Sequence, residues 1–180
     1  NIVEDTSRET ATQLMRMNGY IDMLIPRGGK GLIKSVVENA TVPVVETAAG
    51  NCHIYVDEFA DFDMASEIVM NAKVQRPSVC NAAETLLVNR KIADTFIPMI
   101  FKKLSDANVE IRADEDCITI YQDGVVLASE EDFYTEYNDY IISVKLVDDV
   151  DEAIAHINKY NTKHSEAIIT DSYKNTQKFL

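Results

Sequence analysis

The sequence has no apolar run near the ~20 residues that a membrane-spanning helix requires, so we expect no membrane association. Its first ten residues, NIVEDTSRET, have neither the basic region nor the apolar region of a secretory signal. Low-complexity tracts, internal repeats and flexible linkers are also missing. These absences favour a globular protein over a membrane, secreted or fibrous one.

Cysteine is scarce, with three residues at Cys52, Cys80 and Cys117. An odd number without close pairs excludes a disulfide framework and the paired spacing of zinc sites. The three histidines have no metal-ligand spacing with these cysteines, so we expect no metal site. Unpaired thiols fit a reducing compartment, and we expect a cytoplasmic protein.

Basic residues are also few, since 17 Lys and Arg face 30 Asp and Glu for a formal net charge of -13. A surface this acidic repels phosphate backbones and anionic lipids, so we expect no nucleic-acid partner. Any anionic substrate must therefore meet a local positive site. The overall composition of the chain, 46% hydrophobic and 26% charged, is typical of an ordinary globular domain.

Stretches with strand and helix patterns alternate along the chain. The predicted strands are 1–5, 20–26, 42–47, 53–57, 84–89, 109–113, 140–147 and 166–170. The predicted helices are Ser7–Met17, 32–40, Phe62–Val74, Lys91–Leu104, 150–160 and a final one after residue 170. Residues 114–132 are predicted to be an irregular connection. Such alternation indicates an α/β fold with parallel strands.

Cys80 lies in a stretch, QRPSVCNAA, that breaks regular structure. Pro77 prevents the preceding helix from continuing, and small residues keep bulk away from the sulfur. A helix beginning near Asn81 would lower the pKa of the thiol and offer backbone amides to an oxyanion. Cys80 is therefore either a reactive nucleophile or a buried packing residue, whereas Cys52 and Cys117 are predicted to be packing residues.

A glycine-rich turn, RGGKG, follows the predicted strand 20–26. Gly28 and Gly29 precede a predicted helix, where backbone amides can meet a phosphate or a dinucleotide. The spacing matches neither GxGxxG nor GxxxxGK[ST]. The turn is therefore either a plain connection or a cofactor contact.

Four charged or titratable residues are further candidates. Glu46 ends an apolar strand 34 residues before Cys80, where a carboxylate needs a partner or a task. Glu136 precedes the strand 140–147, in a segment rich in acids that are usually solvated. Arg76 and His164 could each bind an anionic group, and each could equally be a surface residue.

Taken together and in this order, several stretches resemble the aldehyde dehydrogenase superfamily and, within it, the branch of gamma-glutamyl phosphate reductases. They are YIDMLIPRGG, VPVVETAAGNCHIYVD, NAKVQRPSVCNAAETLLV, EYNDYIISVK and DEAIAHINKYNTKHSEAIIT. The resemblance implies that Cys80 is the catalytic cysteine and that Glu46 matches the general base of hydrolysing members. It implies that Gly28 and Gly29 face the nicotinamide cofactor and that Glu136 holds a cofactor ribose. The segment EYNDY departs from the usual ExFGP around that last residue.

The same resemblance implies a three-layer αβα fold with a parallel-rich sheet. Residues 1–46 would be the C-terminal part of the NADP-binding domain, and 47–180 a catalytic domain truncated at its C-terminus. The chain is expected to be a fragment of a longer enzyme.

The implied reaction is the NADPH-dependent reduction of gamma-glutamyl phosphate to glutamate 5-semialdehyde and phosphate through a Cys80 thioester, in proline biosynthesis. Expected partners are a glutamate 5-kinase, free or fused, and further copies of the full-length enzyme. The alternatives are a hydrolysing NAD(P)-dependent aldehyde dehydrogenase and a catalytically inactive interaction domain of the same fold.

Overall fold

The computed structural model describes residues 2–45 and 49–180, which fall into two compact units, Asn1–Ala49 and Gly50–Leu180. Each unit is described by itself. The assignment of these units to a cofactor domain and a catalytic domain stays a prediction from the sequence.

The first unit contains two helices, α1 (Arg8–Leu14) and α2 (Lys30–Asn39). Ser7 caps α1, its hydroxyl accepting from the backbone N–H of Thr10 at 3.2 Å. The predicted continuation of this helix to residue 17 is wrong. The chain turns after Leu14 and reaches Gly19, whose φ of +81° is incompatible with a helix.

The strands predicted for the first unit are not regular strands in the residues described. Residues 2–7 contain no strand, and residues 20–26 contribute only isolated bridges, of which one joins Leu24 to Val44. Pro43 beside that bridge has no N–H to donate, so it cannot extend a ladder. β-branched composition therefore predicted more strand here than the local hydrogen bonding supports.

The second unit is built on a six-stranded sheet. Its strands are β1 (Cys52–Val56), β2 (Ala83–Asn89), β3 (Glu110–Ala113), β4 (Val125–Leu127), β5 (Ile141–Val147) and β6 (Glu166–Ile169). Its helices are α3 (Phe62–Val74), α4 (Ala93–Asp106), α5 (Glu115–Ile120), α6 (Glu130–Tyr134), α7 (Val150–Tyr160) and α8 (Tyr173–Phe179). A single 3₁₀ turn, Arg90–Ile92, precedes α4.

Every described pairing in the sheet is parallel, and the strand order is β4-β3-β5-β2-β1-β6. Apolar side chains of α3, α4 and α5 pack on one face, against Ile54, Leu86 and Val144. Side chains of α7 and α8 pack on the other face, against Tyr55 and Leu87. Each central strand is buried on both faces, as parallel sheets require. The predicted three-layer αβα fold is confirmed.

The segment 114–132, predicted to be irregular, contains α5, β4 and the first residues of α6. Asp114 begins α5 by accepting from the backbone N–H of Cys117 at 2.9 Å. The six residues EDCITI form a helix because this cap fixes its first turn. Among the described residues, no helix is long and apolar enough to cross a membrane.

His156 of α7 gives the second unit a specific sensitivity to acid. Its ring packs against those of Phe133 and Tyr160, with centroids 5.0 Å and 4.4 Å away. Burial, with a smaller contribution from the nearby charges of His53 and two lysines, lowers the pKa of His156 to about 3. Unfolded histidine titrates near pH ~6.5, so only the unfolded state takes up this proton between those values.

The contribution of neutral His156 to the free energy of unfolding is therefore complete above pH ~6.5. It is lost as the pH falls toward 3, by about 1.4 kcal/mol for each pH unit. We expect His156→Phe, which keeps an aromatic ring, to remove this dependence. Urea unfolding of the full-length protein at pH 7 and pH 5 measures it. The stability lost between those two values should be about 2 kcal/mol smaller in His156→Phe than in the wild type. Equal losses in both proteins would contradict this assignment.

Candidate active site

Four neighbouring strands bring the predicted site residues of the second unit to one edge of the sheet. Because β5, β2, β1 and β6 are adjacent and parallel, the segments that precede them all meet at the amino ends of these strands. The predicted residues Cys80, Glu136 and His164 precede β2, β5 and β6, and Gly50, which was not predicted, precedes β1. We call this the amino edge. It lies opposite the carboxyl edge, where open α/β sheets usually bind ligands.

Cys80 lies in a loop, residues 75–82, which we call the Cys80 loop. Two tight turns shape it: the N–H of Val79 donates to the carbonyl of Arg76 at 3.4 Å, and that of Ala82 to the carbonyl of Val79 at 3.0 Å. The Cys80 side chain is exposed. The helix predicted to begin near Asn81 is wrong, because these turns lead directly into β2 at Ala83. Among the described residues, the element that follows Cys80 is therefore a strand.

The other two cysteines are buried, as predicted. Burial, with the charge of Glu166, raises the pKa of Cys52 to about 12. Burial likewise raises the pKa of Cys117, assisted by Asp114. Thiolates are the nucleophilic form of cysteine, so both residues are inert near neutral pH. Of the three cysteines, only Cys80 is available to an electrophile in solution.

Gly50 fixes the backbone of Cys80. A Cβ atom built on Gly50 would lie 1.4 Å from the carbonyl oxygen of Cys80 and 2.7 Å from its Cα. Only a residue without a side chain fits there. The thiol of Cys52 donates to the same carbonyl at 3.3 Å. The start of β1 therefore sets the position of the Cys80 main chain.

Glu136 lies at the same edge and is half-buried. Its Oε1 accepts from the backbone N–H of Gly50 at 2.6 Å, so one glycine contacts both the Cys80 backbone and this carboxylate. A charge-assisted bond of this kind orients the carboxylate. Its predicted role in holding a ribose stays a prediction.

His164 and Arg76 are both exposed. His164 Nδ1 lies 2.9 Å from the hydroxyl of Ser165 and 3.7 Å from the sulfur of Cys52, which places this ring at the amino edge. Arg76 lies on the Cys80 loop itself. Both are therefore positioned where they could meet an anionic substrate.

Gly28 and Gly29 lie in the first unit, at the start of α2. Gly28 has φ +155°, and Gly29 is the N-cap residue, with no side chain to cap the helix. A Cβ on Gly29 would have nothing within 4 Å, so the space beside it is open. The first amides of a helix carry no intrahelical partner and favour an anionic group. Glu46, the remaining predicted site residue, lies outside the described residues.

Sequence reasoning missed a buried ion pair beside the Cys80 loop. Lys73 Nζ lies 2.6 Å from Glu84 Oε2, and both side chains are 0% exposed. Burial lowers the pKa of Lys73 and raises that of Glu84, while their mutual attraction opposes both shifts. The sequence did contain a signal for Lys73. Lys73 continues the buried stripe of α3 that contains Ala65 and Val69, with a spacing of four residues.

Gly50 was missed as well, because the close approach of two chain segments leaves no pattern in the sequence. Among the residues that the structure describes, no group of three or more His, Cys, Asp or Glu side chains could hold a metal ion.

Comparison with known proteins identifies the family to which the chain belongs. The sequence profile of the aldehyde dehydrogenase family matches residues 1–119. The chain is 63% identical over 179 residues to the gamma-glutamyl phosphate reductase of Clostridium beijerinckii, covering 99% of this chain and 43% of that protein. It is 62% identical over 182 residues to the protein of that name from Caldicellulosiruptor saccharolyticus, with the same coverage of both.

The crystal structure of the gamma-glutamyl phosphate reductase of Thermotoga maritima superposes with a TM-score of 0.95 at 52% identity. The match covers 98% of this chain and 42% of that one. The chain therefore spans about two fifths of the length of the curated relatives it matches.

Proposed function

The chain belongs to the aldehyde dehydrogenase family, and we propose that it is the cysteine-bearing part of an NADPH-dependent gamma-glutamyl phosphate reductase. The full-length enzyme reduces gamma-glutamyl phosphate to glutamate 5-semialdehyde and phosphate, a step of proline biosynthesis. The observation that carries this proposal is Cys80, an exposed thiol whose backbone is fixed by Gly50. The names of relatives above 60% identity support the substrate.

Cys80 acts as the nucleophile. Its thiolate attacks the acyl carbon of the substrate, the C–O bond to phosphate breaks, and phosphate leaves with the bonding electrons. The product is a thioester on Cys80, which is electrophilic enough to be reduced. After reduction, the carbon–sulfur bond of the hemithioacetal breaks, releasing the aldehyde and the free thiolate. Arg76 and His164 are the residues of this edge that we assign to the anionic parts of the substrate.

The described residues fit a nicotinamide cofactor. The carboxylate of Glu136, oriented by Gly50, is an acceptor for a ribose hydroxyl. In the first unit, taken by itself, the open N-terminus of α2 at Gly28 and Gly29 offers amides to an anionic group such as a cofactor phosphate. When bound, the reduced cofactor supplies the hydride that this reaction requires.

Glu46 has no evident task in this reaction, because an acyl phosphate is reduced without an attacking water. It would have one in a hydrolysing aldehyde dehydrogenase, as the base that activates water. Phosphate dependence therefore separates the two functions.

The test uses the full-length enzyme in the reverse direction, as reduction of NADP⁺ by glutamate 5-semialdehyde. We expect turnover with inorganic phosphate and none when sulfate replaces it at equal ionic strength, because phosphate must resolve the thioester. Turnover that is equal in both buffers would mean that water resolves it. The enzyme would then be a hydrolysing dehydrogenase with Glu46 as its base.

The proposal extends to the setting of the enzyme. We place it in the cytoplasm, acting as a homo-oligomer, next to a glutamate 5-kinase that supplies its unstable acyl phosphate. The free thiols support the cytoplasmic location.

A further inference from the structure

The Lys73–Glu84 ion pair lies at the base of the Cys80 loop. Lys73 is in the last turn of α3, and Glu84 is the second residue of β2, so the pair joins the two ends of the segment that contains Cys80. The bond is short, at 2.6 Å, and neither side chain has contact with solvent. Whatever holds these two residues together therefore also holds the ends of this loop together.

Burying a pair of charges in this space has a large desolvation penalty. Taking both ions out of water costs several kcal/mol per ion, and apolar residues of similar volume often give equal or greater stability. A buried pair is thus weak evidence for a stabilising role. Its directional bonds do something that apolar contacts cannot, because they fix the positions of the groups that they join.

A break in the strand register accompanies Glu84. Cys52 of β1 pairs with Ala83, whereas the next residue, His53, pairs with Thr85. Glu84 is therefore the extra residue of a bulge in β2. Bulges redirect a side chain and occur frequently beside active sites.

The second carboxylate oxygen of Glu84 reaches another part of the site. Glu84 Oε1 accepts from the backbone N–H of Asn138 at 3.1 Å. Asn138 has φ +56° and follows Glu136 by two residues, in the tight segment before β5. Glu136 in turn accepts from Gly50, which lies against the Cys80 backbone. Glu84 thus connects the Cys80 loop to the segment that carries the Glu136 carboxylate.

We propose that Lys73 and Glu84 are positioning residues that set the Cys80 loop and the Glu136 segment relative to each other. Lys73 holds one oxygen of Glu84 in place, and the other oxygen then holds Asn138. This inference rests on the proposed function for its meaning in catalysis. Its geometry can be tested independently of that function, through the reactivity of Cys80.

Two double variants of the full-length enzyme test the role. Lys73→Met/Glu84→Gln removes both charges but keeps a carbonyl oxygen that can accept from Asn138. Lys73→Met/Glu84→Met has a similar volume and removes that acceptor. We expect the second variant to lose at least about tenfold in kcat relative to the first, with a smaller change in KM, because misplacing a reacting group slows the chemical step more than binding.

Alkylation of Cys80 by iodoacetamide, followed on its own peptide by mass spectrometry, gives the second readout. We expect its rate to differ at least about threefold between the two variants, since loop geometry controls access to the thiol. Replacing the exposed pair Lys102 and Asp106 by Met and Asn should change neither readout. A folded Lys73→Met/Glu84→Met enzyme with the kcat and alkylation rate of the Gln variant would overturn the proposal.

A further measurement decides the matter if the Met/Met variant does not fold. In Glu84→Gln alone, the bond to Asn138 loses its charge assistance and weakens. Hydrogen exchange at the amides of Asn138 and Gly50 should then be faster than in the wild type. Unchanged exchange at both amides would overturn the proposal. The alkylation and hydrogen-exchange readouts do not depend on phosphate, so failure of the proposed reaction and failure of the positioning role give different results.

Discussion

Cys80→Ser is expected to lower the turnover of the full-length enzyme by at least about 10⁴-fold, because the substituted hydroxyl is a far weaker nucleophile near neutral pH. The change is small in volume and the side chain is exposed, so the fold should be unaffected. Turnover with glutamate 5-semialdehyde, NADP⁺ and phosphate measures the effect. Thermal unfolding of the same variant should match that of the wild type.

Cys117→Ala is the matched control for this experiment. Cys117 is a buried cysteine of α5 in the same unit, and its pKa is raised by burial. Losing its sulfur should cost some stability through the small cavity but leave turnover within about twofold of the wild type. Substantial turnover in Cys80→Ser, or a loss as large in Cys117→Ala, would remove Cys80 from the reaction.

The second unit was predictable because its elements combine several local signals. Phe62–Val74 was predicted with the bounds that the structure gives, since Asp61 can cap its start and apolar residues follow the helical period. The buried strands β2 and β5 were read from their continuous apolar runs, which parallel sheets favour. In the first unit, by contrast, the described residues of the predicted strands form at most isolated bridges, and strand composition alone misled the prediction there.

The candidate site likewise contains features that the sequence predicts and features that it does not. The loop around Cys80 was predictable because Pro77 and the small residues after the cysteine act locally. The absence of the helix predicted near Asn81 was not predictable, because the turn found there depends on where β2 begins. Lys73 and Glu84 left a readable signal, two opposite charges in buried patterns. Gly50 left none, because its role comes from another segment of the chain that the fold brings against it.

Gly50→Ala is expected to reduce kcat/KM by about 10²-fold or more. The added methyl group would lie 1.4 Å from the carbonyl oxygen of Cys80, well inside any possible contact. A methyl group has no rotamer by which to escape, so one of the two backbones must move by an appreciable part of an ångström. A displacement near 1 Å of a reacting group can cost about 10²-fold in rate. The Gly50 amide also orients Glu136, so the same movement disturbs the proposed cofactor contact.

Gly124→Ala separates this effect from general destabilisation. Gly124 has φ +70°, so alanine is strained there by about 1 kcal/mol, yet its Cβ would have nothing within 4 Å. This variant should lose stability and keep its turnover and its rate of Cys80 alkylation. Gly50→Ala should change both of those, because its backbone adjustment reaches Cys80 directly. If Gly50→Ala kept the wild-type values for both, the described contact would not control the position of the nucleophile, and the cysteine loop would have to be held by its own turns and by the Lys73–Glu84 pair.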